Sequence, residues 1–154
     1  MKYAQLREFD TTNGPGVRVS LFVSGCTLHC KGCFNPESWD FEAGDDFNKQ
    51  TIERIIELLK RPYMSGLSVL GGDPFEEQNI GPVTELCKRV REACPDKTIW
   101  VWTGRKYEHF KDHEIMRYID TLVDGPYVEK LKVKEQGQYF GSTNQRVIPI
   151  HPVQ

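Results

Sequence analysis

An alternation constrains this chain most: short β-branched and aromatic runs take turns with stretches whose apolar residues recur every three or four positions. Residues 18–23, 67–70, 98–102 and 121–123 read as strands. Between them, residues 48–60 put Ile52, Ile55, Ile56 and Leu59 on one helical face, and Pro62 marks the end. Val83, Leu86, Cys87 and Val90 form a second stripe, with Pro82 suited to the first turn and Pro95 beyond the end. A weaker helix is expected over about residues 112–119 and a last strand at 146–150, while the N-terminal segment is a polar lead-in to the turn formers of residues 10–16. Strand and helix in alternation predict an α/β fold: a parallel sheet with alternating helices.

Each strand also runs into a distinctive loop. The cysteines follow the first, Gly71-Gly72-Asp73-Pro74 the second, Thr103-Gly104 the third and Asp124-Gly125-Pro126 the fourth. In parallel α/β architectures such loops gather at the carboxyl edge of the sheet, where sites are built. One site is therefore expected, made by all these loops.

A length of 154 residues fits one domain, 1–154, with no linker or repeat to divide it. With 20 Lys+Arg against 22 Asp+Glu, the balance argues against a nucleic-acid partner. No run approaches the ~20 apolar residues of a membrane span, so no membrane partner is expected. Five cysteines without a leader-like segment point to a reducing, cytoplasmic setting, where thiols bind metals or react.

Three of those cysteines, Cys26, Cys30 and Cys33, fall within eight residues. On a helix they would share a face as buried core residues, but Gly25, Gly32 and Pro36 make a regular helix costly there. A structural zinc site wants four tetrahedral ligands, so Cys87, Cys94 or His29 would have to complete it. Cys87 lies on the apolar stripe of its helix, nothing pairs Cys94 with the loop, and His29 sits too tightly between two cysteines. Three thiolates instead suit a cubane of four irons, which usually takes one cysteine per iron. Supplying three leaves one iron open to chemistry. Gly71-Gly72-Asp73-Pro74 adds two glycines that let backbone approach a ligand and a carboxylate able to accept hydrogen bonds from an ammonium group; alone it would be an ordinary turn.

Together, the three-then-two cysteine spacing and the Gly-Gly-acid turn after the next strand resemble the radical S-adenosylmethionine enzymes. The resemblance implies a [4Fe–4S] cluster on Cys26, Cys30 and Cys33, with S-adenosylmethionine chelating the open iron. It also implies cofactor contacts from Gly32, Cys33, Phe34, Gly71, Gly72 and Asp73. Many members carry an aromatic just before the third cysteine, where this chain has Gly32; Phe34, immediately after, is left to cover the adenine. Asp73 stands where many relatives carry Glu, and Arg18, Lys31 and Arg105 are candidate partners for the cofactor carboxylate. No side chain is singled out as a catalytic acid or base. A full α/β barrel takes roughly 250 residues, so 154 can build only a partial β/α barrel or an open sheet, and the resemblance implies the partial barrel.

Residues 13–18, Asn-Gly-Pro-Gly-Val-Arg, are similar to a segment of the enzymes that activate glycyl-radical enzymes. Residues 100–104, 123–126 and 141–145 narrow the resemblance to the branch acting on anaerobic ribonucleoside-triphosphate reductase. This implies that S-adenosylmethionine is reductively cleaved to a 5′-deoxyadenosyl radical and that a glycyl radical is installed on the reductase. A low-potential electron donor such as flavodoxin is the second implied partner. Activation of another glycyl-radical enzyme of the formate-lyase type, and a non-enzymatic iron–sulfur or zinc electron-transfer module, are the alternatives.

Overall fold

The computed structural model describes residues 1–30, 39–134 and 139–151. Its elements are β1 (Lys2–Asp10), β2 (Val17–Val23), β3 (Asp45–Asp46), α1 (Lys49–Leu59), β4 (Met64–Gly71), α2 (Glu77–Ala93), β5 (Thr98–Trp102), β6 (Thr121–Asp124) and β7 (Arg146–Pro149). They form one seven-stranded sheet in the order β3-β1-β2-β4-β5-β6-β7. Strands β2, β4, β5 and β6 are mutually parallel. β1 runs antiparallel to β2 and β3, and β7 antiparallel to β6. The wholly parallel sheet expected from the sequence is thus corrected to a mixed one, parallel only at its centre.

Strand β1 replaces the expected polar lead-in. Its register slips against β2 between Tyr3 and Gln5 and again between Arg7 and Asp10, so burial comes in pairs and not in alternation. A strand without period two carries no periodic signal. Helix α1 matches its stripe and is held at its start by a capping box. Asn48 Oδ1 accepts from the Thr51 N–H at 3.1 Å, and the Thr51 hydroxyl accepts from the Asn48 N–H at 3.3 Å.

Helix α2 begins at Glu77, so Pro82 lies inside the helix and not in its first turn. The carbonyl it deprives of a donor belongs to the exposed Gln78, where water can serve it. The helix expected over 112–119 is only a 3₁₀ turn at Glu114–Arg117. Its N-cap, His113, accepts the Ile115 N–H on Nδ1 at 3.1 Å, and the crossover from β5 to β6 contains no α-helix.

Helices α1 and α2 touch each other, and α1 also packs on β2 and β4. Period two in the strands sends Val19, Leu21 and Val23 of β2, Leu67 and Val69 of β4, and Ile99 and Val101 of β5 into the core with Ile55, Leu86 and Val90. The alternate residues, among them Arg18, Phe22, Ser68, Leu70, Trp100 and Trp102, belong to the opposite face. At its amino end Arg18 is fully buried, donating to Ser68 Oγ, Thr98 Oγ1 and the carbonyls of Pro15, Leu67 and Thr98. Burial brings this guanidinium down to about 10. No helix among the described residues is long and apolar enough to cross a membrane.

Candidate functional site

A cavity of about 390 Å³ opens at the carboxyl edge of the parallel strands. Every loop singled out in the sequence reaches it: Cys26 and Cys30 after β2, Gly71 to Asp73 after β4, Thr103 and Gly104 after β5, Gly125 after β6. Phe22, Leu70 and Trp102 come up from the strands, and Tyr127, Tyr139 and Phe140 form the far wall. Parallel strands end on one edge, which is why motifs separated by a hundred residues meet there.

The glycine turn needs its glycine. Gly71 has φ +120°, and a Cβ there would lie 2.5 Å from the Val23 backbone N. The turn is tied to the cysteine loop by backbone bonds, Gly72 N–H to the Val23 carbonyl and Asp73 N–H to the Gly25 carbonyl, both 2.8 Å. Asn79 of α2 adds a staple, its amide donating at 3.0 Å to the carbonyls of both Ser24 and Asp73.

Cys26 is buried, and its N–H donates to the Trp39 carbonyl at 3.2 Å. Burial pushes its thiol up, as do the charges of Asp73 and Glu76, while the backbone N–H groups of Leu28 and His29 pull it back by bonding to the sulfur. Cys30 is half-buried on the same wall. His29 sits at φ 46° and stacks its ring on Trp39, centroids 4.3 Å apart. The third cysteine, Cys33, lies outside the described residues, together with Lys31, Gly32 and Phe34. Two thiols on one cavity wall, one already supported by backbone N–H donors, fit thiolate ligation of an iron–sulfur cluster. Cys87 and Cys94 instead belong to the apolar core, Cys87 with its thiol pushed up to about 12 by burial.

Asp73 is 1% exposed and spends both oxygens inside the protein. Oδ1 accepts from the Phe75 N–H at 2.9 Å and the Thr103 hydroxyl at 2.7 Å. Oδ2 accepts from the Gly104 N–H and from Arg105 Nη1, each at 3.0 Å. Burial pushes this carboxyl up, against those bonds and the Arg105 charge. Each of these four groups donates to Asp73, and the Thr103 hydroxyl in turn accepts the Arg105 N–H at 3.1 Å.

Glu76 repeats the pattern. Its Oε1 accepts from the Thr27 N–H at 2.7 Å, the Thr27 hydroxyl at 2.8 Å and Arg105 Nη2 at 3.0 Å. Burial opposes the charge on Glu76, but the Thr27 and Arg105 contacts win and hold its carboxyl below the usual range. The Arg105 guanidinium, which burial alone would lower, is raised by Asp73 and Glu76. Of the basic residues considered for a cofactor carboxylate, Arg105 is therefore committed to Asp73 and Glu76, and Arg18 is sealed at the amino end. Thr27, Glu76 and Asn79 were not singled out in the sequence. The one hint was an acid three residues beyond Asp73.

A family profile described as a 4Fe-4S single cluster domain matches residues 12–148. The anaerobic ribonucleoside-triphosphate reductase-activating protein of enterobacteria phage T4 is 39% identical over 147 residues, covering 96% of this chain and 93% of the relative. The protein of that name from Vibrio cholerae is 40% identical over 149 residues, covering 94% and 96%, and that of Escherichia coli K12 is 40% identical over 151, covering 96% and 97%. The chain belongs to this family of reductase-activating, 4Fe-4S single cluster proteins. The matched span runs from the turn before β2 to the end of β7, so the family relationship covers the cavity and its loops.

Proposed function

We propose that this protein is an iron–sulfur enzyme that activates anaerobic ribonucleoside-triphosphate reductase, working as a radical S-adenosylmethionine enzyme. The observation that carries the reading is the meeting of Cys26 and Cys30 with the Gly71-Gly72 turn on one cavity at the carboxyl edge. Cys26, Cys30 and Cys33 would hold a [4Fe–4S] cluster with one open iron, and Gly71, Gly72 and Asp73, with Gly32, Cys33 and Phe34, the S-adenosylmethionine. Bound there, and given one electron from an external donor, the pair would supply reductive cleavage of the cofactor's carbon–sulfur bond and, through it, abstraction of a hydrogen atom from a glycine Cα of the reductase.

The chain's own residues orient and enclose. Phe22, Leu70 and Trp102 present apolar surface to the cavity, and the glycine turn brings bare backbone close to a ligand. Parallel strands stepping in one direction from β2 to β6, with both helices on one face, support a partial β/α barrel in one domain. An open barrel leaves the site for a partner to close, which favours a protein substrate. The remaining parts of the reading are a cytoplasmic setting and a flavodoxin-like electron donor.

Electron paramagnetic resonance on anaerobically reconstituted, reduced protein tests this, with and without S-adenosylmethionine. A [4Fe–4S] signal reshaped by the cofactor, followed by a glycine-centred radical on added reductase, is expected. One zinc per chain and no cluster would overturn the reading, as would a cluster indifferent to the cofactor.

A further inference from the structure

We infer that Arg105 and Glu76 form a clamp that fixes the cysteine loop against the glycine turn, making both of them positioning residues for the cluster site. The inference rests on the proposed function for its purpose, though not for its geometry.

The clamp is a single chain of contacts across three loops. Thr27, next to Cys26, is gripped at its N–H and its hydroxyl by one oxygen of Glu76. Arg105, from the loop after β5, reaches the same oxygen with Nη2 at 3.0 Å and Thr27 Oγ1 at 3.3 Å. Its other arm, Nη1, holds Asp73. Asp73 and Glu76 are 1% and 5% exposed, so the guanidinium bridges two carboxylates from which water is largely excluded. A planar fork spans two acids at fixed geometry, which a lysine ammonium does not reproduce.

This arrangement changes what Asp73 does. With each oxygen taken by two donors, the side chain acts on a bound cofactor through the shape of the Gly71–Asp73 turn and through Arg105. The same contacts seat the Glu76 carboxylate and the Arg105 guanidinium directly on Thr27, the residue next to Cys26, so both charges lie beside the cysteine loop. The clamp therefore has both a mechanical and an electrostatic signature.

The test uses the full chain, with Glu76→Ala, Glu76→Gln and Arg105→Met. Amide hydrogen exchange in the cluster-free protein reads the mechanical part. Thr27 should exchange at least tenfold faster in Glu76→Ala and Arg105→Met, with α1 and β4 unchanged. Glu76→Gln keeps an oxygen for Thr27 and should restore most of the protection. Redox titration of the reconstituted protein reads the electrostatic part: Arg105→Met should lower the cluster midpoint potential and Glu76→Gln should raise it. Unchanged Thr27 exchange overturns the inference, and so do potentials that fail to move in opposite directions. If the wild type takes up no cluster, the proposed function falls, while exchange at Thr27 still decides whether the clamp exists.

Discussion

Single side chains divide into those that face the cavity and those that hold its walls. Cys30 is of the first kind, and in the proposed site it is one of three cluster ligands, so alanine there would leave the cluster a ligand short. Cys30→Ala should take reconstituted iron from about four per chain to background and abolish reductase activation; iron analysis and glycyl-radical yield check both, and retained activity would remove Cys30 from the ligand set. Asp10 is of the second kind. It accepts from the Thr12 N–H, the Thr12 hydroxyl and the Asn13 amide at 2.7–2.9 Å, shaping a turn whose Thr12 and Asn13 line the cavity. Burial raises its carboxyl, but the hydrogen bonds from Asn13 and Thr12 outweigh that and bring it from 3.8 to about 2. Because the folded value lies below the ordinary one, its stabilisation is complete above the unfolded pKa and is lost as pH falls toward 2. The shift caps the contribution at about 2 kcal/mol. Denaturant melts should find wild type more stable than Asp10→Asn at pH 6, with the gap closing between pH 4 and pH 2; a gap independent of pH would contradict this. At this scale the cysteine spacing, and the Gly71-Gly72-Asp73 turn through its resemblance to a family motif, pointed to loops that meet on one cavity. Glu76 stayed silent, and Arg105 drew notice only as a partner for the cofactor carboxylate, because a contact between residues 29 apart leaves no local pattern.

Among the elements, those carrying a clean period were legible and those carrying irregularities were not. Helix α1 and strand β5 bury one face each, so their apolar residues repeat every three to four or every two positions, while β2, β4 and β6 are buried along most of their length and read as short β-branched and aromatic runs. Strand β1 has two register slips and β3 only two residues, leaving nothing periodic to read. Pro82 misled for a physical reason: proline is favoured at a first turn, yet an interior site whose orphaned carbonyl faces water is tolerable. The start of α1 gives the sharpest test at this scale. Its first turn has no acidic residue, so the reciprocal Asn48–Thr51 pair is the main device satisfying the free N–H groups there. Asn48→Ala should cost about 1 kcal/mol, read as a lower denaturation midpoint with an unchanged slope. An unchanged midpoint would mean that packing of Ile52 and Ile55 fixes the helix start unaided.

At the scale of the whole molecule, the two faces of the sheet are unequal. Helices α1 and α2 close one, while the other keeps the cavity, its mouth flanked by Leu28, which is 38% exposed, and by Tyr127, Tyr139 and Phe140. On the proposed radical mechanism such a site would need a lid, and a glycine Cα would have to come within van der Waals reach of the radical. Both needs are met if the reductase covers the mouth. A standard interface takes about 800 Å² from each partner, roughly a tenth of the 8232 Å² this chain exposes, so the footprint fits on one face. Hydrogen-exchange mass spectrometry on the complex should therefore slow exchange around residues 27–30, 125–134 and 139–145 and leave α1 unchanged. Protection of α1 with an uncovered cavity mouth would mean that the partner docks on the helical face, and the glycine would then have no path to the cysteines.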